Sequence, residues 1–254
     1  MILGIVQARL SSTRLPRKVL MPILGRPMLR RQLERLQRAS RIDRLAVATS
    51  DQPEDQPLVE MCQDFGVECF CGSLDDVLDR FYRAARHYRA DHVVRLTADC
   101  PVIDADLVNS VIDYYLSGDY DYASNVHPPT FPDGLDVEVM SFTCLEQAWR
   151  KAELRSQREH VTPFIWQQPD RFKLGNVTND ADLSNLRWTV DEVADFEFIT
   201  GVYEALYPTD PTFSTAQILA LLARHPELGE LNSSFERNEG LKNSMAQDKA
   251  RGPL

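Results

Sequence analysis

Over about the first 120 residues, short apolar runs alternate with segments whose apolar residues recur at helical spacing. A short continuous apolar run is typical of a strand buried on both faces of a sheet, and apolar residues three or four apart are typical of an amphipathic helix. We predict strands at residues 2–6, 45–49, 67–70 and 92–96, each followed by a helix. Strands that alternate with helices form a parallel sheet with right-handed crossovers, so the pattern predicts an α/β fold.

The regular alternation ends near residue 120, and the pattern becomes mixed. Further strands are predicted at residues 120–124, 135–140, 172–177 and 186–190, and helices near 142–152, 158–167, 192–207 and 213–224. An insertion of this kind usually shapes a second substrate pocket. We therefore predict one domain over residues 1–231, with an inserted region at about 120–185. From Asn232 the composition turns polar, which predicts a flexible tail at residues 232–254.

Composition and charge narrow the classes of partner. The 254 residues are 43% hydrophobic and 26% charged, as in an ordinary globular protein, and no apolar run is long enough to span a bilayer. Five cysteines without a CxxC pair indicate reduced thiols and a cytoplasmic protein. The net charge of −10 argues against nucleic acid as a partner. Residues 1–44, however, carry eleven Lys or Arg and two acids, which favours a small polyanionic ligand at one place.

The candidate ligand-binding segment runs from Gln7 to Lys18, directly after the first predicted strand. In open parallel sheets the ligand binds beyond the carboxyl ends of the strands. This segment offers three consecutive hydroxyl residues, backbone N–H groups, Arg9, Arg14 and a lysine. Hydroxyl and N–H groups can bond phosphate oxygens while the basic side chains neutralise their charge, so the segment suits a triphosphate. It is not a Walker A loop, and a basic surface loop is the alternative.

The same segment resembles the N-terminal signature of the CMP-sugar cytidylyltransferases, which activate 3-deoxy-manno-octulosonate and acylneuraminate. The residues that match in order and spacing are Arg9, Ser12, Arg14, Leu15, Pro16 and Lys18. Gln7 makes the segment more similar to the spore-coat polysaccharide branch, typified by SpsF-like proteins. The resemblance implies a Rossmann-like nucleotide-diphospho-sugar transferase sheet in three α/β/α layers. It also implies that Ala8, Arg9, Ser12, Arg14 and Lys18 bind the nucleotide, with Arg9, Lys18 and Asp99 catalytic.

Two carboxylates are candidates for a metal site. Asp99 leaves the end of a predicted strand just before Pro101, and Asp191 follows a later predicted strand. Mg²⁺ commonly binds one or two carboxylates together with phosphate oxygens. The family resemblance implies Mg²⁺ on Asp99 and Asp191. Glu192 and Asp195 remain alternatives for the second ligand, because acidic residues at a helix start are also common as caps.

Two further segments resemble parts of the same family. Ser73 and Arg80 lie in the segment that resembles the part of the family that recognises the pyrimidine. The alternative is that this segment is only the capped start of a helix with a surface arginine. The acceptor side is implied at four residues: Gly134, Asp136, Glu138 and His160. Asp136 and Glu138 are two apart and therefore share one face of a strand, where they could bind sugar hydroxyls.

The resemblance implies transfer of CMP from CTP to a sugar acid or a related polysaccharide precursor, with release of pyrophosphate. It also implies a homodimer. Two alternatives stay open from the sequence. An A-type glycosyltransferase would use a DxD metal motif, which Asp119-Tyr120-Asp121 matches literally. A non-catalytic nucleotide-binding partner of a biosynthetic complex is the other.

Overall fold

The computed structural model describes residues 1–251, and a seven-stranded sheet lies at its centre. The strands are β1 (Ile2–Gln7), β2 (Pro22–Ile23), β3 (Arg26–Pro27), β4 (Arg44–Ser50), β5 (Glu68–Gly72), β6 (His92–Thr97), β7 (Tyr122–Ser124), β8 (Glu138–Ser141) and β9 (Leu174–Asn176). The helices are α1 (Met28–Leu36), α2 (Gln56–Phe65), α3 (Val77–Tyr88), α4 (Ala105–Ser117), α5 (Phe142–Lys151), α6 (Arg155–His160), α7 (Pro163–Trp166), α8 (Val193–Leu206), α9 (Thr215–Arg224), α10 (Pro226–Glu230) and α11 (Glu239–Arg251).

The order of strands in the sheet is β5-β4-β1-β6-β8-β7-β9, and β2 and β3 form a separate small hairpin. Strands β5, β4, β1 and β6 are mutually parallel, as the alternating pattern predicts. Strand β8 then runs antiparallel to both β6 and β7. The carboxyl ends of β1 and β6 therefore lie side by side, with Gln7 paired to Thr97 at the edge.

Two buried clusters lie on opposite faces of the sheet, which confirms the three-layer α/β/α arrangement. Successive residues of β1 divide between them, since Ile5 belongs to one cluster and Val6 to the other. Helices α1, α2, α4, α8 and α9 contribute to the cluster that contains Val6, whereas α3, α5 and α7 contribute to the other. Each half-buried helix thus covers one face of the parallel strands.

The inserted region follows its predicted pattern in part. The strand predicted at residues 186–190 is not part of the sheet, because Arg187 pairs with Asp133 at a single bridge and the chain then bonds to Asp99. The Trp188 amide donates to the Asp133 carbonyl at 2.6 Å and the Val190 amide to the Asp99 carbonyl at 2.8 Å. The backbone of this segment therefore bonds to two different parts of the chain, at Asp133 and at Asp99, and not along one neighbouring strand.

The C-terminal segment differs from its prediction over the part that the structure describes. We predict a flexible tail at residues 232–254, whereas α11 spans Glu239–Arg251 and packs beside α6; residues 252–254 lie outside the described range. Polar contacts hold it, since the Ser156 amide donates to Asp248 at 3.2 Å. A prediction from composition counts apolar residues, so it cannot detect polar hydrogen bonds that hold a segment in place. Within residues 1–251, no helix has the length and apolar character needed to cross a membrane.

Candidate active site

A cavity of about 570 Å³ opens at the carboxyl ends of β1 and β6. Six parts of the chain form its walls: the loop after β1, the start of α3, the end of β6, the β8 region with α6, residues 187–191, and the C-terminal segment. The predicted site residues that line it are Ala8, Arg9, Ser12, Arg14, Lys18, Arg80, Asp99, Asp136, Glu138, His160 and Asp191. Residues that are far apart in the sequence thus meet in one place, as expected for the edge where parallel strands end.

Lys18 lies at the centre of the charged groups and is only 8% exposed. Its ammonium group donates to Asp191 Oδ1 at 2.7 Å and to the Val190 carbonyl at 2.6 Å, and it lies 3.5 Å from Asp99 Oδ2. Burial alone would lower the pKa of Lys18, but the charges of Asp99 and Asp191 outweigh it and raise that pKa. The lysine is therefore held as a cation between two carboxylates.

Asp99 carries the complementary charge. Burial would raise its pKa, but the Lys18 ammonium and hydrogen bonds that include one from Thr97 lower it, so the carboxylate stays ionised. The Asp99 carbonyl accepts from the Val190 amide at 2.8 Å and from the Thr189 hydroxyl at 3.2 Å. These bonds join the end of β6 to the segment that carries Asp191.

The structure separates the three acidic candidates for a second metal ligand. Asp195 is fully buried and accepts hydrogen bonds from the ε nitrogen and one terminal nitrogen of Arg187, both at 2.8 Å. It also accepts from the amides of Asp191 and Glu192 at 2.9 Å. Those bonds make Asp195 a cap and ion-pair partner. Glu192 lies 3.5 Å from Arg14 and is absent from the cavity lining in the described chain, whereas Asp191 lines the cavity beside Lys18. The arrangement favours Asp191.

The loop after β1 takes its shape from one buried acid. Asp55 is 2% exposed and accepts from the Leu10 amide at 2.7 Å. It also accepts from the side chains of Thr49 and Ser50 at the end of β4. This anchor fixes the loop against the sheet, so that Arg9 and Arg14 stand over the cavity. Arg14 pairs with Asp191 at 2.9 Å.

Of the two residues proposed to read the pyrimidine, only Arg80 lines the main cavity. Arg80 is 1% exposed, and burial lowers its pKa to about 10, which still leaves it protonated at neutral pH. Its terminal nitrogen donates to the Ser73 carbonyl at 2.8 Å. The Ser73 hydroxyl accepts from the Asp76 amide at 3.0 Å and faces a separate, shallower pocket beside Cys71. Ser73 therefore shapes the start of α3.

Asp136, Glu138 and His160 lie together on the other side of the cavity. Glu138 pairs with Arg95 and accepts from Tyr122 at 2.5 Å. Burial would raise the pKa of Glu138, but the Arg95 charge lowers it. Burial raises the pKa of Asp136 to about 7 and lowers that of His160 to about 4, so the histidine is neutral at physiological pH.

Gly134 does not line the cavity, and its role in the structure is a close backbone approach. Its φ of +106° is unfavourable for residues with a Cβ atom. A Cβ added there would lie 2.5 Å from the carbonyl carbon of Trp188. The glycine lets the two segments cross, which sets the position of Asp136 two residues later.

Several cavity residues were not singled out from the sequence. Arg95 interrupts an apolar strand, and that interruption is a signal that could have identified it. Asp133 and Arg187 form an ion pair at 3.4 Å across the insertion. The C-terminal residues that line the cavity are Glu236, Asn238, Glu239, Gly240, Leu241 and Asn243. No sequence pattern marks this last group.

The DxD motif lies away from the cavity. Strand β7 runs parallel to β6, because both are antiparallel to β8, so residues just before β7 lie at the opposite edge of the sheet from Asp99. Asp121 accepts from the Lys173 amide at 2.9 Å, and Asp119 is fully exposed. This placement disfavours a glycosyltransferase site built on the motif.

Comparison with known proteins gives a consistent family. A family model described as cytidylyltransferase matches residues 3–239. The chain is 37% identical over 238 residues to an uncharacterized protein of Methanocaldococcus jannaschii, covering 93% of this chain and 96% of that protein. It is 31% identical over 233 residues to the spore coat polysaccharide biosynthesis protein SpsF of Bacillus subtilis, covering 89% of this chain and 95% of SpsF.

Solved structures agree with the fold. A cytidylyltransferase from Leptospira borgpetersenii superposes with a TM-score of 0.87 at 28% identity, covering 93% of this chain and 99% of that one. The CMP:2-keto-3-deoxy-manno-octonic acid synthetase complexed with CTP superposes with a TM-score of 0.64 at 17% identity, covering 80% of this chain and 98% of that one. The second likeness is one of fold.

Proposed function

The chain belongs to the cytidylyltransferase family and is a nucleotidyltransferase, and we propose that it transfers CMP from CTP to a sugar acid or a related polysaccharide precursor. The observation that carries the proposal is the convergence of Lys18, Asp99 and Asp191 beneath the loop that holds Arg9 and Arg14. Three basic side chains beside two carboxylates are the groups that a triphosphate and its metal require.

The reaction is a direct displacement at the α-phosphorus. A hydroxyl oxygen of the acceptor forms a bond to that phosphorus while the bond to the bridging oxygen of pyrophosphate breaks. The hydroxyl proton is released, and pyrophosphate leaves with the electron pair. Arg9, Arg14 and Lys18 neutralise the charge that grows on the leaving pyrophosphate. Positioning and charge stabilisation then supply most of the rate, as in other phosphoryl transfers.

Asp99 and Asp191 fit a Mg²⁺ ion. Both carboxylates contact the ammonium group of Lys18, at 3.5 Å and 2.7 Å, so they would hold a Mg²⁺ ion between them once that ammonium group turns toward the phosphates. Residues 1–251 contain no group of three or more His, Cys, Asp or Glu that could hold a metal. Two carboxylate oxygens completed by phosphate and water are a typical Mg²⁺ set. When bound there, Mg²⁺ would stabilise charge on the phosphate oxygens.

The acceptor belongs on the side that carries Asp136, Glu138 and His160. Paired carboxylates and a neutral imidazole offer hydrogen-bond acceptors and a donor for sugar hydroxyls. The exposed Arg9 borders the same space and can meet a carboxylate. SpsF, a spore coat polysaccharide biosynthesis protein, supports a polysaccharide precursor as the acceptor. A homodimer in the cytoplasm remains our prediction.

The test is an assay of pyrophosphate release. Purified protein is incubated with Mg²⁺, each nucleoside triphosphate in turn, and a panel that includes 3-deoxy-manno-octulosonate and N-acetylneuraminate. We expect release with CTP and one acceptor, and a loss of about 10³-fold in Asp99→Asn. Asp121→Asn is the matched control and should keep its rate. Release of a free nucleotide from a nucleotide sugar, or no binding of CTP, would overturn the proposal.

A further inference from the structure

The C-terminal segment, residues 232–251, lines part of the cavity and contacts two of its walls. Glu239 lies 3.3 Å from the Arg14 guanidinium. Ser244 Oγ lies 3.0 Å from His160 Nε2 and donates to Glu159 at 3.1 Å. The segment therefore contacts both the loop that we assign to the nucleotide and the helix that we assign to the acceptor. Its contacts are hydrogen bonds and ion pairs with named residues of the cavity, as expected for a segment that forms one of the cavity walls.

Arg237 contacts the acids on the side of the cavity that we assign to the acceptor. Its side chain is 14% exposed, and one terminal nitrogen lies 2.5 Å from Asp136 Oδ1. The other donates to the Phe131 carbonyl at 3.0 Å, and the ε nitrogen lies 3.8 Å from Asp133 Oδ1. A planar guanidinium bonded to a carbonyl and to one carboxylate fixes the direction of Asp136, and Asp133 lies at the limit of ion-pair distance. Arg237 itself stands behind Asp136, which lines the cavity.

The charges around Asp136 show why its ion pair with Arg237 matters. Glu138 has Arg95 as its partner, and Asp133 has Arg187 at 3.4 Å. Among the described residues, Arg237 is the cation within ion-pair distance of Asp136. Without it, three neighbouring acids would lie together with one of them unpaired, and the Asp136 side chain would turn toward solvent or take up a proton.

We propose that residues 232–251 form a wall of the acceptor side and that Arg237 is a positioning residue that holds Asp136 and Asp133 toward the acceptor. This inference rests on the proposed function, because it assigns Asp136 to the acceptor. Arg237 acts through the two carboxylates and touches no reacting atom. The segment that the polar composition marks as a tail is then part of the active site.

The kinetic test compares Arg237→Ala with Arg237→Lys and with Lys249→Ala, a control that removes an exposed cation from the same segment. The KM for CTP and the KM for the acceptor are measured separately, with 3-deoxy-manno-octulosonate and N-acetylneuraminate as probes. We expect Arg237→Ala to raise the acceptor KM by at least about tenfold and the CTP KM by less than about twofold. Arg237→Lys should recover part of the loss, because it keeps the charge.

A purely structural role would give a different result. It would lower the active fraction, and hence the rate, without changing either KM, and that outcome overturns the inference. Amide hydrogen exchange provides a readout that needs no acceptor. We expect faster exchange at residues 131–138 in Arg237→Ala than in Lys249→Ala, and equal exchange contradicts the inference. If wild-type protein releases no pyrophosphate, the proposed function fails, while the exchange comparison still decides whether Arg237 positions residues 131–138.

Discussion

The two sides of the cavity, which we propose for the nucleotide and for the acceptor, draw their charged groups from the chain in different ways. On the nucleotide side, Arg9, Arg14 and Lys18 come from one loop, and one buried acid, Asp55, anchors that loop to the sheet. On the acceptor side, the ion pairs join residues 43, 54 and 101 positions apart. These pairs are Arg95 with Glu138, Arg187 with Asp133, and Arg237 with Asp136.

The difference affects what each side can tolerate. A loop that follows a buried strand inherits its position from the sheet, so its exposed basic residues, Arg9 and Arg14, can be changed one at a time without moving the others, whereas Lys18 is buried between two carboxylates. The acceptor side is held by matched charges, and removal of one partner leaves a buried charge uncompensated, which is strongly destabilising. We therefore expect substitutions of Arg9 and Arg14 to change catalysis, and substitutions of Lys18 or of the acceptor-side pairs to change stability as well.

The largest effect that we expect is a loss of activity after a substitution on the nucleotide side. Lys18→Met removes the ammonium group between Asp99 and Asp191 while keeping an unbranched side chain of similar length. We expect kcat to fall by about 10²- to 10³-fold, because one preorganised charge that stabilises the leaving pyrophosphate is lost. The measurement is steady-state pyrophosphate release with CTP and the acceptor.

Arg17→Met is the matched control for Lys18→Met, since Arg17 is an exposed cation of the same loop and lies outside the cavity lining. It should keep its activity. A loss of similar size in Arg17→Met would mean that the net charge of the loop governs the rate, and the assignment of a separate role to Lys18 would be wrong.

The second prediction concerns the backbone that carries the acceptor side. Gly134→Ala should destabilise the fold by about 3 kcal/mol, because the added Cβ would lie 2.5 Å from Trp188 and the φ of +106° disfavours it. Thermal or urea unfolding measures the change. Gly240→Ala is the control, since nothing lies within 4 Å of a Cβ there and alanine favours its helix. If both variants unfold alike, the close approach at Gly134 does not matter.

The same contrast explains what the sequence could predict. Local signals predict three features of the fold: strand β1, helix α2 with Gly66 at its end, and the parallel order of the first four long strands. These signals are apolar periodicity and one glycine. Asp195 shows the limit. From the sequence it is one of three acids at a helix start, and only the buried Arg187 and Asn232 beside it reveal that its oxygens are already bonded.

Arg237 shows the same limit more strongly. It lies in a polar segment with no period, 101 positions after its partner Asp136. No rule of spacing connects two such residues, because the contact depends on how the segments just before α11 and β8 are placed in three dimensions. The nucleotide side can thus be predicted from one motif, whereas the acceptor side depends on pairs that the fold alone brings together.

The smallest expected effect is a difference in how stability depends on pH. Burial raises the pKa of Asp136 to about 7, well above the value of 3.8 that applies to an unperturbed aspartate. Between these two values the native state binds more protons than the unfolded state, so the free energy of unfolding falls as pH rises from about 4 to 7. Asp136→Asn removes this titration.

We expect the unfolding free energy of Asp136→Asn to fall less than that of the wild type between pH 5 and pH 8, by up to about 2 kcal/mol. Urea unfolding at both pH values measures the two slopes. Burial also raises the pKa of Asp133, to about 6, with the same sign, but that group is present in both proteins and its contribution largely cancels. Equal slopes would mean that Arg237 already keeps Asp136 ionised over this range, and the acceptor side would then be as well neutralised as the nucleotide side.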